Sequence, residues 1–485
     1  MSSLKFGTSG LRGLVSELVG WPSYAYVLAF LRHLDRNGTP DAKRVVLFGR
    51  DLRASSPDIV GNCLASALHA GYEAIDCGAL PTPALALAAL ENGCPAVMVT
   101  GSHIPDDRNG LKFYRRDGEI TKADEEGIHA QFEAITSGGG PIRLLRSVGP
   151  LERNTECIAR YRKRYLDFFP ANCLSGLQVG VFTHSSVARD ILLDVLVALG
   201  AAVEELGRSE MFIPVDTEAH RPEDLAQLGA WGRRNRYDAI VSTDGDADRP
   251  LVADESGVVI RGDLLGLITA RHLGLRTLVT PVTSSTAVET SGIGQSVIRT
   301  KVGSPFVIQG MVEAAARGDD GIGGFEANGG FLHLKDIHWL GRNLQALPTR
   351  DALLPILASL AEARALEVPL SALIAQLHAG YAAAHRLQNV HASQSFMFMQ
   401  KLATDAFFLG EFFAPIGTLA SINVIDGFKA TFASGCSVHF RPSGNAPELR
   451  CYVEAGSQAD ADQLLRWSLA QARDHISGLS RLQTA

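Results

Sequence analysis

The sequence predicts a multidomain protein of the α/β class, and two observations carry that prediction. The first is an alternation of short apolar runs, typical of buried strands, with longer helix-like segments. It opens with a strand at 44–49, a helix at 57–71 and a strand at 96–100, and it returns at 177–182, 186–199 and 238–242. The second is length, because 485 residues, 46% of them hydrophobic, suffice for three or four domains at roughly 100 to 200 residues each. This alternation favours sheets of parallel type.

Three candidate joints divide the chain. The glycine-rich run at 137–141 is one, and the turn at 254–257 is another. A third is expected near 378–393, after a long helical pattern that begins at Arg350. The remaining residues contain a strand-rich region at 428–454 and a closing helix at 458–477.

Charge, hydropathy and cysteine usage exclude several classes of protein. The formal net charge of −7 gives no overall attraction to nucleic acid, so no nucleic-acid partner is expected. The sequence has no run of 18 apolar residues and no signal-like N-terminus, which favours a cytoplasmic protein without a membrane partner. The seven cysteines are scattered and lack Cys-x-x-Cys spacing, so reduced thiols are expected rather than disulfides or a zinc site.

An acidic loop directly follows one predicted strand. Asp244, Asp246 and Asp248 alternate on a glycine-containing segment, and such carboxylates suit a hard divalent cation. With Glu255 they also match positions 1, 3, 5 and 12 of a calcium EF-hand loop. However, Arg249 stands where that loop needs glycine, and a strand precedes the segment. A solvated acidic turn is the other alternative. An arginine beside a metal points to an anionic, phosphorylated ligand.

Two further loops place a hydroxyl and cations near strand ends. Ser102 and His103 follow the strand at 96–100, and Lys112 comes ten residues after Ser102. The glycine-rich segment at 6–13 can present Arg12 to an anion. Taken singly, both segments are also compatible with plain turns, and His103 with a purely structural hydrogen bond.

The last two candidate loops suit a sugar phosphate. The segment 440–450 combines arginines, a hydroxyl, an amide and flexible backbone, a set that can hold a phosphate dianion: Arg441, Ser443, Gly444, Asn445 and Arg450. In the segment 323–330, glycines flank Glu326 and Asn328, whose side chains can accept from and donate to vicinal hydroxyls. Either segment alone is a weak signal.

Together these segments resemble the α-D-phosphohexomutase family, which includes phosphomannomutases, phosphoglucomutases and phosphoglucosamine mutases. The motifs occur in the family's order and span nearly the whole chain: Gly7-Thr8-Ser9-Gly10-Leu11-Arg12-Gly13, Thr100-Gly101-Ser102-His103 with Asn109-Gly110-Leu111-Lys112, Asp244-Gly245-Asp246-Ala247-Asp248-Arg249, Gly324-Phe325-Glu326-Ala327-Asn328-Gly329, and Arg441-Pro442-Ser443-Gly444 with Arg450. Any one of them would be unspecific, whereas five in order are highly specific.

The resemblance implies four domains around a central cleft: three similar α/β domains and a smaller α+β C-terminal domain, each contributing one loop. With the joints above, the expected ranges are 1–145 (phosphoserine loop), 146–255 (metal loop), 256–378 (sugar loop) and 379–485 (phosphate loop). The resemblance makes Ser102 a phosphoserine whose phosphate holds Mg²⁺ together with Asp244, Asp246 and Asp248. It also implies a cationic pocket around that phosphate, formed by Arg12, His103, Lys112 and Arg249. In the substrate, the sugar would meet Glu326, Asn328 and Lys301, and the phosphate Arg441, Ser443, Gly444, Asn445 and Arg450.

The implied reaction moves phosphate between O6 and O1 of a hexose through a hexose 1,6-bisphosphate. We expect mannose phosphate as substrate, with glucose phosphate or dual specificity as the alternative, and either a monomer or a homodimer. Gly330 stands where the family often has histidine, so the general acid–base group stays unassigned. Two other classes remain open: a metal-dependent phosphatase with Asp244 as nucleophile, and a non-catalytic sugar-phosphate binding protein.

Overall fold

The chain folds into successive sheet-and-helix units whose sheets follow one another along the sequence. The structure is a computed structural model, and it describes residues 3–7, 10–37, 43–137, 155–234, 236–442 and 447–482. Most of the first predicted joint, 138–141, lies outside these ranges. The four domain ranges given above are a proposal.

The first unit has a mixed, seven-stranded sheet among its described residues, in the order β1-β2-β6-β5-β3-β4 with β7 beside β6. Its elements are β1 (Lys5–Phe6), β2 (Leu11–Leu14), α1 (Val15–Leu18), α2 (Trp21–Asn37), β3 (Val45–Arg50), α3 (Ser56–His69), β4 (Glu73–Ala79), α4 (Thr82–Asn92), β5 (Ala96–Val99), β6 (Arg108–Arg115), β7 (Gly118–Glu119) and α5 (Lys122–Ser137). Strand β3 is parallel to β4 and β5, as predicted, but β6 runs antiparallel to β5. The few residues between β5 and β6 cannot form the crossover that a parallel neighbour needs, so the expectation of a parallel sheet is wrong there.

The second unit repeats this plan with a smaller sheet, ordered β11-β10-β8-β9. Its elements are α6 (Glu156–Phe168), β8 (Gln178–Phe182), α7 (Arg189–Ala198), β9 (Ala202–Leu206), α8 (Pro222–Arg234), β10 (Ala239–Thr243) and β11 (Pro250–Ala253). Strands β8, β9 and β10 are parallel, and β11 returns antiparallel to β10.

The third unit has a sheet ordered β13-β12-β14-β15-β18 and a separate β16–β17 hairpin. Its elements are α9 (Gly262–His272), β12 (Thr277–Pro281), α10 (Ala287–Thr290), β13 (Ser296–Thr300), α11 (Ser304–Ala316), β14 (Ile322–Phe325), β15 (Phe331–His333), β16 (Ile337–Trp339), β17 (Arg342–Leu344), β18 (Leu347–Asp351), α12 (Leu353–Ala365) and α13 (Leu370–Ala375). The helix expected from Arg350 begins only at Leu353. Arg350 belongs to β18, because pairing with β15 and side-chain contacts outweigh the local helical pattern.

The fourth unit is an antiparallel sheet, β19-β23-β22-β21-β20, covered by helices. Its elements are β19 (Tyr381–Gln388), α14 (Ala392–Thr404), α15 (Ala406–Phe413), β20 (Leu419–Asn423), β21 (Phe428–Phe432), β22 (Ser437–Pro442), β23 (Glu448–Ala455) and α16 (Gln458–Leu482). The joint expected at 378–393 contains β19, all of whose residues pair with β23, so that expectation is wrong for 381–388. Pairing with a distant strand overrides the local turn signals.

The first three units share a continuous apolar core. It contains Leu85 of α4, Tyr161 of α6 and Leu357 of α12. The hydroxyls of Tyr161 and Tyr165 both donate to the buried carboxylate of Asp351, which fixes the end of β18 against α6. All seven cysteines are free thiols. Within the described ranges, no helix is both long and apolar enough to cross a membrane.

Candidate active site

Three equivalent hairpin loops, one from each of the first three units, are linked to one another by side-chain hydrogen bonds. Each joins the last parallel strand of a sheet to an antiparallel neighbour: 100–107 between β5 and β6, 244–249 between β10 and β11, and 326–330 between β14 and β15. These are the phosphoserine, metal and sugar loops of the sequence analysis. The common position explains why motifs far apart in sequence come together.

Ser102 is buried at the tip of the first loop with φ of 55°, a left-handed conformation that is uncommon for serine. Its backbone N–H donates to Thr100 Oγ1 at 2.7 Å. Its Oγ donates to Asp244 Oδ2 at 2.5 Å and lies 3.1 Å from His103 Nδ1. The predicted phosphoserine and the first predicted metal ligand are therefore in direct contact.

A buried arginine, Arg53, and its partner Asp51 hold the loop that carries Ser102 by hydrogen bonds. Arg53 donates through Nη1 to the carbonyls of Pro105 and Arg108, and through Nη2 to those of Ser102 and Ile104. Gly101 is required here, because a Cβ at 101 would lie 2.6 Å from the guanidinium carbon of Arg53.

The partner of Arg53 is Asp51, which ties the start of the loop to the same support. Asp51 accepts from Arg53 Nε at 3.2 Å, from Thr100 Oγ1 at 2.8 Å and from the Gly101 N–H at 3.2 Å. The loop conformation thus depends on a buried ion pair rather than on the loop sequence alone.

His103 is the link between the serine and Arg249. Arg249 Nη1 donates to His103 Nδ1 at 3.0 Å, so the ring proton resides on Nε2, which lies 3.8 Å from Asp216. Burial and the neighbouring Arg249 and Arg12 cations lower the pKa of His103 well below its usual value. The imidazole is therefore neutral in this site.

The acidic loop is buried and oriented by groups from the first unit. Lys112 Nζ donates to Asp246 Oδ2 at 2.6 Å and to Asp248 Oδ2 at 2.5 Å. Thr82, the first residue of α4, donates its hydroxyl to Asp246 Oδ2 at 2.5 Å. Burial and the two neighbouring carboxylates raise the pKa of Asp244 well above its usual value.

The donor set fits a divalent cation. One ligand atom from each of Asp244, Asp246 and Asp248 lies within 4.8 Å of the others. Oδ1 of Asp246 and Oδ1 of Asp248 are buried without a hydrogen-bond partner among the described residues, while their Oδ2 atoms are occupied. Buried carboxylate oxygens of this kind are suited to a hard cation. The strand before the loop and the hairpin after it rule out the helix–loop–helix of an EF-hand.

Arg12 completes the cationic side of the pocket from β2. Burial, with Arg249 close by, lowers the pKa of the Arg12 guanidinium to about 10. It remains a cation at neutral pH, and it is placed near Asp246 and Asp248 as well as Arg249.

The sugar loop contacts the metal loop through an arginine that the sequence analysis missed. Arg350 donates through Nη1 to Glu326 Oε2 at 2.6 Å and through Nη2 to Asp248 Oδ2 at 2.8 Å. Asn328 Oδ1 accepts from the Gly330 N–H at 3.0 Å, and its carbonyl accepts from Thr217 at 3.2 Å. Glu326 is thus linked to the acidic triad through Arg350.

The fourth unit brings its predicted phosphate residues to one end of its sheet. Arg441 and Arg450 are cross-strand partners on β22 and β23, with Arg386 of β19 beside Arg450. Glu448 lies 3.4 Å from Arg386 Nε and 4.0 Å from Arg450 Nε, so carboxylates already balance part of the positive charge of this row. Ser443, Gly444 and Asn445 lie outside the described residues.

A single carboxylate ties this sheet to the third unit. Asp426 Oδ2 accepts from Arg441 Nε at 2.7 Å and from the Val302 N–H at 3.0 Å. Lys301 is exposed at the end of β13, with its Nζ 5.8 Å from the centroid of the Phe306 ring. The described contacts do not connect Lys301 to the acidic triad.

Several site residues escaped the sequence analysis. Asp51 and Arg53 directly follow the predicted strand at 44–49, and charged residues after a strand are the signal that located the acidic triad. Thr82 and Arg350 gave no such signal, because their partners are 164 and 102 residues away. Arg386 lies within a segment assigned to a joint.

This fold and site define a phosphohexomutase, and comparisons with known proteins agree. Models of the phosphoglucomutase/phosphomannomutase alpha/beta/alpha domains I, II and III match residues 3–138, 160–257 and 261–381. The chain belongs to the phosphoglucomutase/phosphomannomutase family, whose members are intramolecular phosphotransferases.

Individual relatives cover nearly the full chain. A phosphomannomutase of Sinorhizobium fredii is 47% identical over 96% of this chain and 98% of its own. A phosphomannomutase of Salmonella muenchen is 38% identical over 98% of this chain and 97% of its own. The crystal structure of a phosphoglucomutase/phosphomannomutase family protein from Burkholderia thailandensis has a TM-score of 0.75 at 20% identity and covers 97% of both chains.

Proposed function

We propose that this protein is a phosphomannomutase that moves phosphate reversibly between O6 and O1 of mannose phosphate. The observation that carries the proposal is the buried contact between Ser102 and the acidic triad, flanked by the cations Lys112 and Arg249. The names of the two full-length relatives support mannose as the sugar. Phosphoglucomutase activity, alone or together with phosphomannomutase activity, is the second candidate, and the family's joint name supports it.

In the proposed cycle, phosphorylated Ser102 donates its phosphoryl group to the free hydroxyl of the bound sugar phosphate. The resulting hexose 1,6-bisphosphate reorients in the cleft and returns its other phosphate to Ser102. Arg12, Lys112 and Arg249 balance the negative charge that develops on the phosphoryl oxygens. The row containing Arg441 and Arg450 holds the phosphate that does not react.

Asp244, Asp246 and Asp248 would hold Mg²⁺ beside the phosphoserine. When bound, the ion supplies positive charge that offsets the phosphoryl group. His103, held neutral with Nδ1 occupied by Arg249, is proposed to orient that arginine and line the pocket. Glu326 and Asn328 are proposed to bind sugar hydroxyls, with Lys301 and the loop residues Ser443, Gly444 and Asn445 as further contacts. We further propose a cytoplasmic protein that acts as a monomer or homodimer.

Intact-protein mass spectrometry tests the mechanism. After incubation with glucose 1,6-bisphosphate and Mg²⁺, the wild type should gain one phosphate at Ser102, and Ser102→Ala should gain none and lose mutase activity. Ser359→Ala is a matched control, since Ser359 is equally buried but lies in α12, away from the acidic loop. A wild type that takes up no phosphate would exclude the mechanism, and so would a Ser102→Ala protein that remains active.

A second measurement identifies the substrate and separates the other classes. Coupled assays with the 1-phosphates of mannose, glucose and glucosamine should give the highest kcat/KM for mannose. A phosphatase would instead release inorganic phosphate and be labelled on Asp244. A binding protein would bind the sugar phosphate without turning it over.

A further inference from the structure

Arg350 connects two of the site loops although it belongs to neither of them. Its Nε and Nη2 donate to Asp248 Oδ2 at 3.1 and 2.8 Å, and its Nη1 donates to Glu326 Oε2 at 2.6 Å. The side chains of all three residues are at most 3% exposed. A planar guanidinium can serve two carboxylates at once in this way, whereas an ammonium is a single point of attachment.

The hydrogen bonds from Arg350 distinguish the two carboxylate oxygens of Asp248. Oδ2 receives Arg350 and Lys112, and Oδ1 is left without a hydrogen-bond partner among the described residues. The partners on Oδ2 therefore leave Oδ1 as the oxygen available to a cation. Groups of this kind orient a metal ligand without touching the metal.

Arg350 itself is held from both directions along β18. The next residue, Asp351, is anchored by the Tyr161 hydroxyl at 2.5 Å. The preceding residue, Thr349, donates to Glu119 Oε1 of the first unit at 2.7 Å. A strand end fixed on either side keeps the guanidinium in one place, so its two carboxylate partners are held at a fixed separation.

The identity of residue 330 depends on the same arginine. A Cβ on Gly330 would lie 2.6 Å from Arg350 Cδ and 2.8 Å from the carbonyl oxygen of Asp248. The stem of Arg350 therefore occupies the space that any side chain at 330 would need. The absence of a side chain at Gly330 therefore allows the Arg350 side chain to adopt its observed position.

We propose that Arg350 is a positioning residue that couples sugar recognition by Glu326 to metal binding by Asp248. The proposal rests on the proposed function for the identity of the sugar phosphate. Binding of the sugar phosphate at Glu326 and binding of the metal at Asp248 should then both depend on the Arg350 side chain. A variant in which this side chain is less firmly held should bind both ligands more weakly. No other described residue donates hydrogen bonds to both Glu326 and Asp248.

The test compares Arg350→Lys with Arg164→Lys as a matched control. Arg164 is also a buried arginine between the second and third units, but its hydrogen bonds go to His333 and the Gln345 carbonyl. Mn²⁺ binding is followed by electron paramagnetic resonance on unphosphorylated protein. Binding of mannose 1-phosphate is followed by calorimetry. Neither readout requires turnover, so a failure of the proposed mutase activity, seen in the Ser102 experiment, is distinguishable from a failure of this proposal.

In Arg350→Lys we expect Mn²⁺ to bind about 10- to 100-fold more weakly and the sugar phosphate about tenfold more weakly. Arg164→Lys should leave both constants within about twofold, whatever it does to the melting temperature. Unchanged constants in Arg350→Lys would overturn the proposal. A change in only one constant would also overturn it, because Arg350 would then serve one loop alone.

Gly330→Ala provides a second variant that retains the arginine and displaces it. Gly456→Ala is its control, because a Cβ there meets nothing within 4 Å. Gly330→Ala should weaken both ligands in the same direction as Arg350→Lys, and Gly456→Ala should weaken neither. If Gly330→Ala binds both ligands as the wild type does, the pairing of the glycine with Arg350 is refuted.

Discussion

Replacement of Arg53 by methionine should release the loop that carries Ser102. The guanidinium supplies hydrogen bonds to four loop carbonyls and to Asp51. Pro105 O retains a second donor, the Arg108 N–H at 3.1 Å, so not every carbonyl is left unpaired. Two carbonyls left unsatisfied at about 1–2 kcal/mol each, together with Asp51 left without its countercharge, set the loss at about 3 kcal/mol or more.

The loss should be local, and amide hydrogen exchange measures it directly. A loss of about 3 kcal/mol corresponds to roughly 100-fold faster exchange over residues 100–109. Phosphorylation of Ser102 by glucose 1,6-bisphosphate should slow in parallel, because the left-handed conformation of Ser102 is no longer supported. Arg53→Lys keeps the charge but not the fork of donors, so its effect should be intermediate.

An exposed arginine with similar partners is the control for Arg53. Arg44 pairs with Asp35 at 3.2 Å and donates to the carbonyls of Gly71 and Ala70, but its side chain is 52% exposed. Arg44→Met should therefore cost less than about 1 kcal/mol and leave residues 100–109 protected. Wild-type exchange of those residues in Arg53→Met would refute the argument that the ion pair holds the loop.

Three further predictions concern other buried polar side chains. Thr82→Val removes one hydroxyl donor from Asp246 and should weaken Mn²⁺ binding about tenfold by electron paramagnetic resonance; unchanged binding would contradict a role for Thr82. Lys112→Met removes a cation from the pocket beside Ser102 and should slow phosphoryl transfer from glucose 1,6-bisphosphate to Ser102, followed by intact-protein mass spectrometry; an unchanged rate would contradict the electrostatic reasoning. Burial, with Lys429 nearby, lowers the pKa of His439 to about 4, so between pH 6.5 and 4 the unfolded chain binds a proton that the folded chain does not. The free energy of unfolding should therefore decrease as the pH is lowered through that window, by about 2 kcal/mol at pH 5. Between pH 8 and pH 5, the urea midpoint of His439→Gln should decrease less than that of the wild type. An equal fall in both proteins would contradict this assignment.

The predictable part of the site is the part encoded within single loops. Ser102 and the acidic triad each directly follow an apolar strand. A few neighbouring residues were therefore enough to predict these residues as candidates. The contact between them required only that both strands end at the same side of the molecule. Strand positions such as Ala96–Val99 and Ala239–Thr243 were predictable for the same reason.

The remainder depends on partners far away in sequence. Arg350 lies in a stretch that has a helical pattern, and only pairing of β18 with β15 turns it into a strand. Its role follows from carboxylates on two other loops. The sense of β6 was missed because the pattern of apolar residues does not distinguish parallel from antiparallel neighbours; the length of the connecting loop does. Similarly, the sequence around β19 has a turn-like composition, and the segment forms a strand because it pairs with the distant strand β23.

The balance of charge in the site explains why such distant residues belong together. Asp244, Asp246, Asp248 and Glu326 lie beside four cations, Arg12, Lys112, Arg249 and Arg350, and all of these side chains except that of Arg12 are buried. Uncompensated charge there would cost several kcal/mol per group, so the carboxylates and cations stabilise one another before any ligand binds. A phosphoserine dianion and a divalent cation add equal and opposite charge and preserve the balance. Either the phosphoserine or the cation alone would leave the site with a net charge. Phosphorylation of Ser102 should therefore tighten binding of the cation, and the bound cation should favour the phosphorylated serine. In the proposed mechanism, that coupling gives a physical reason for the metal and the phosphoserine to share Asp244.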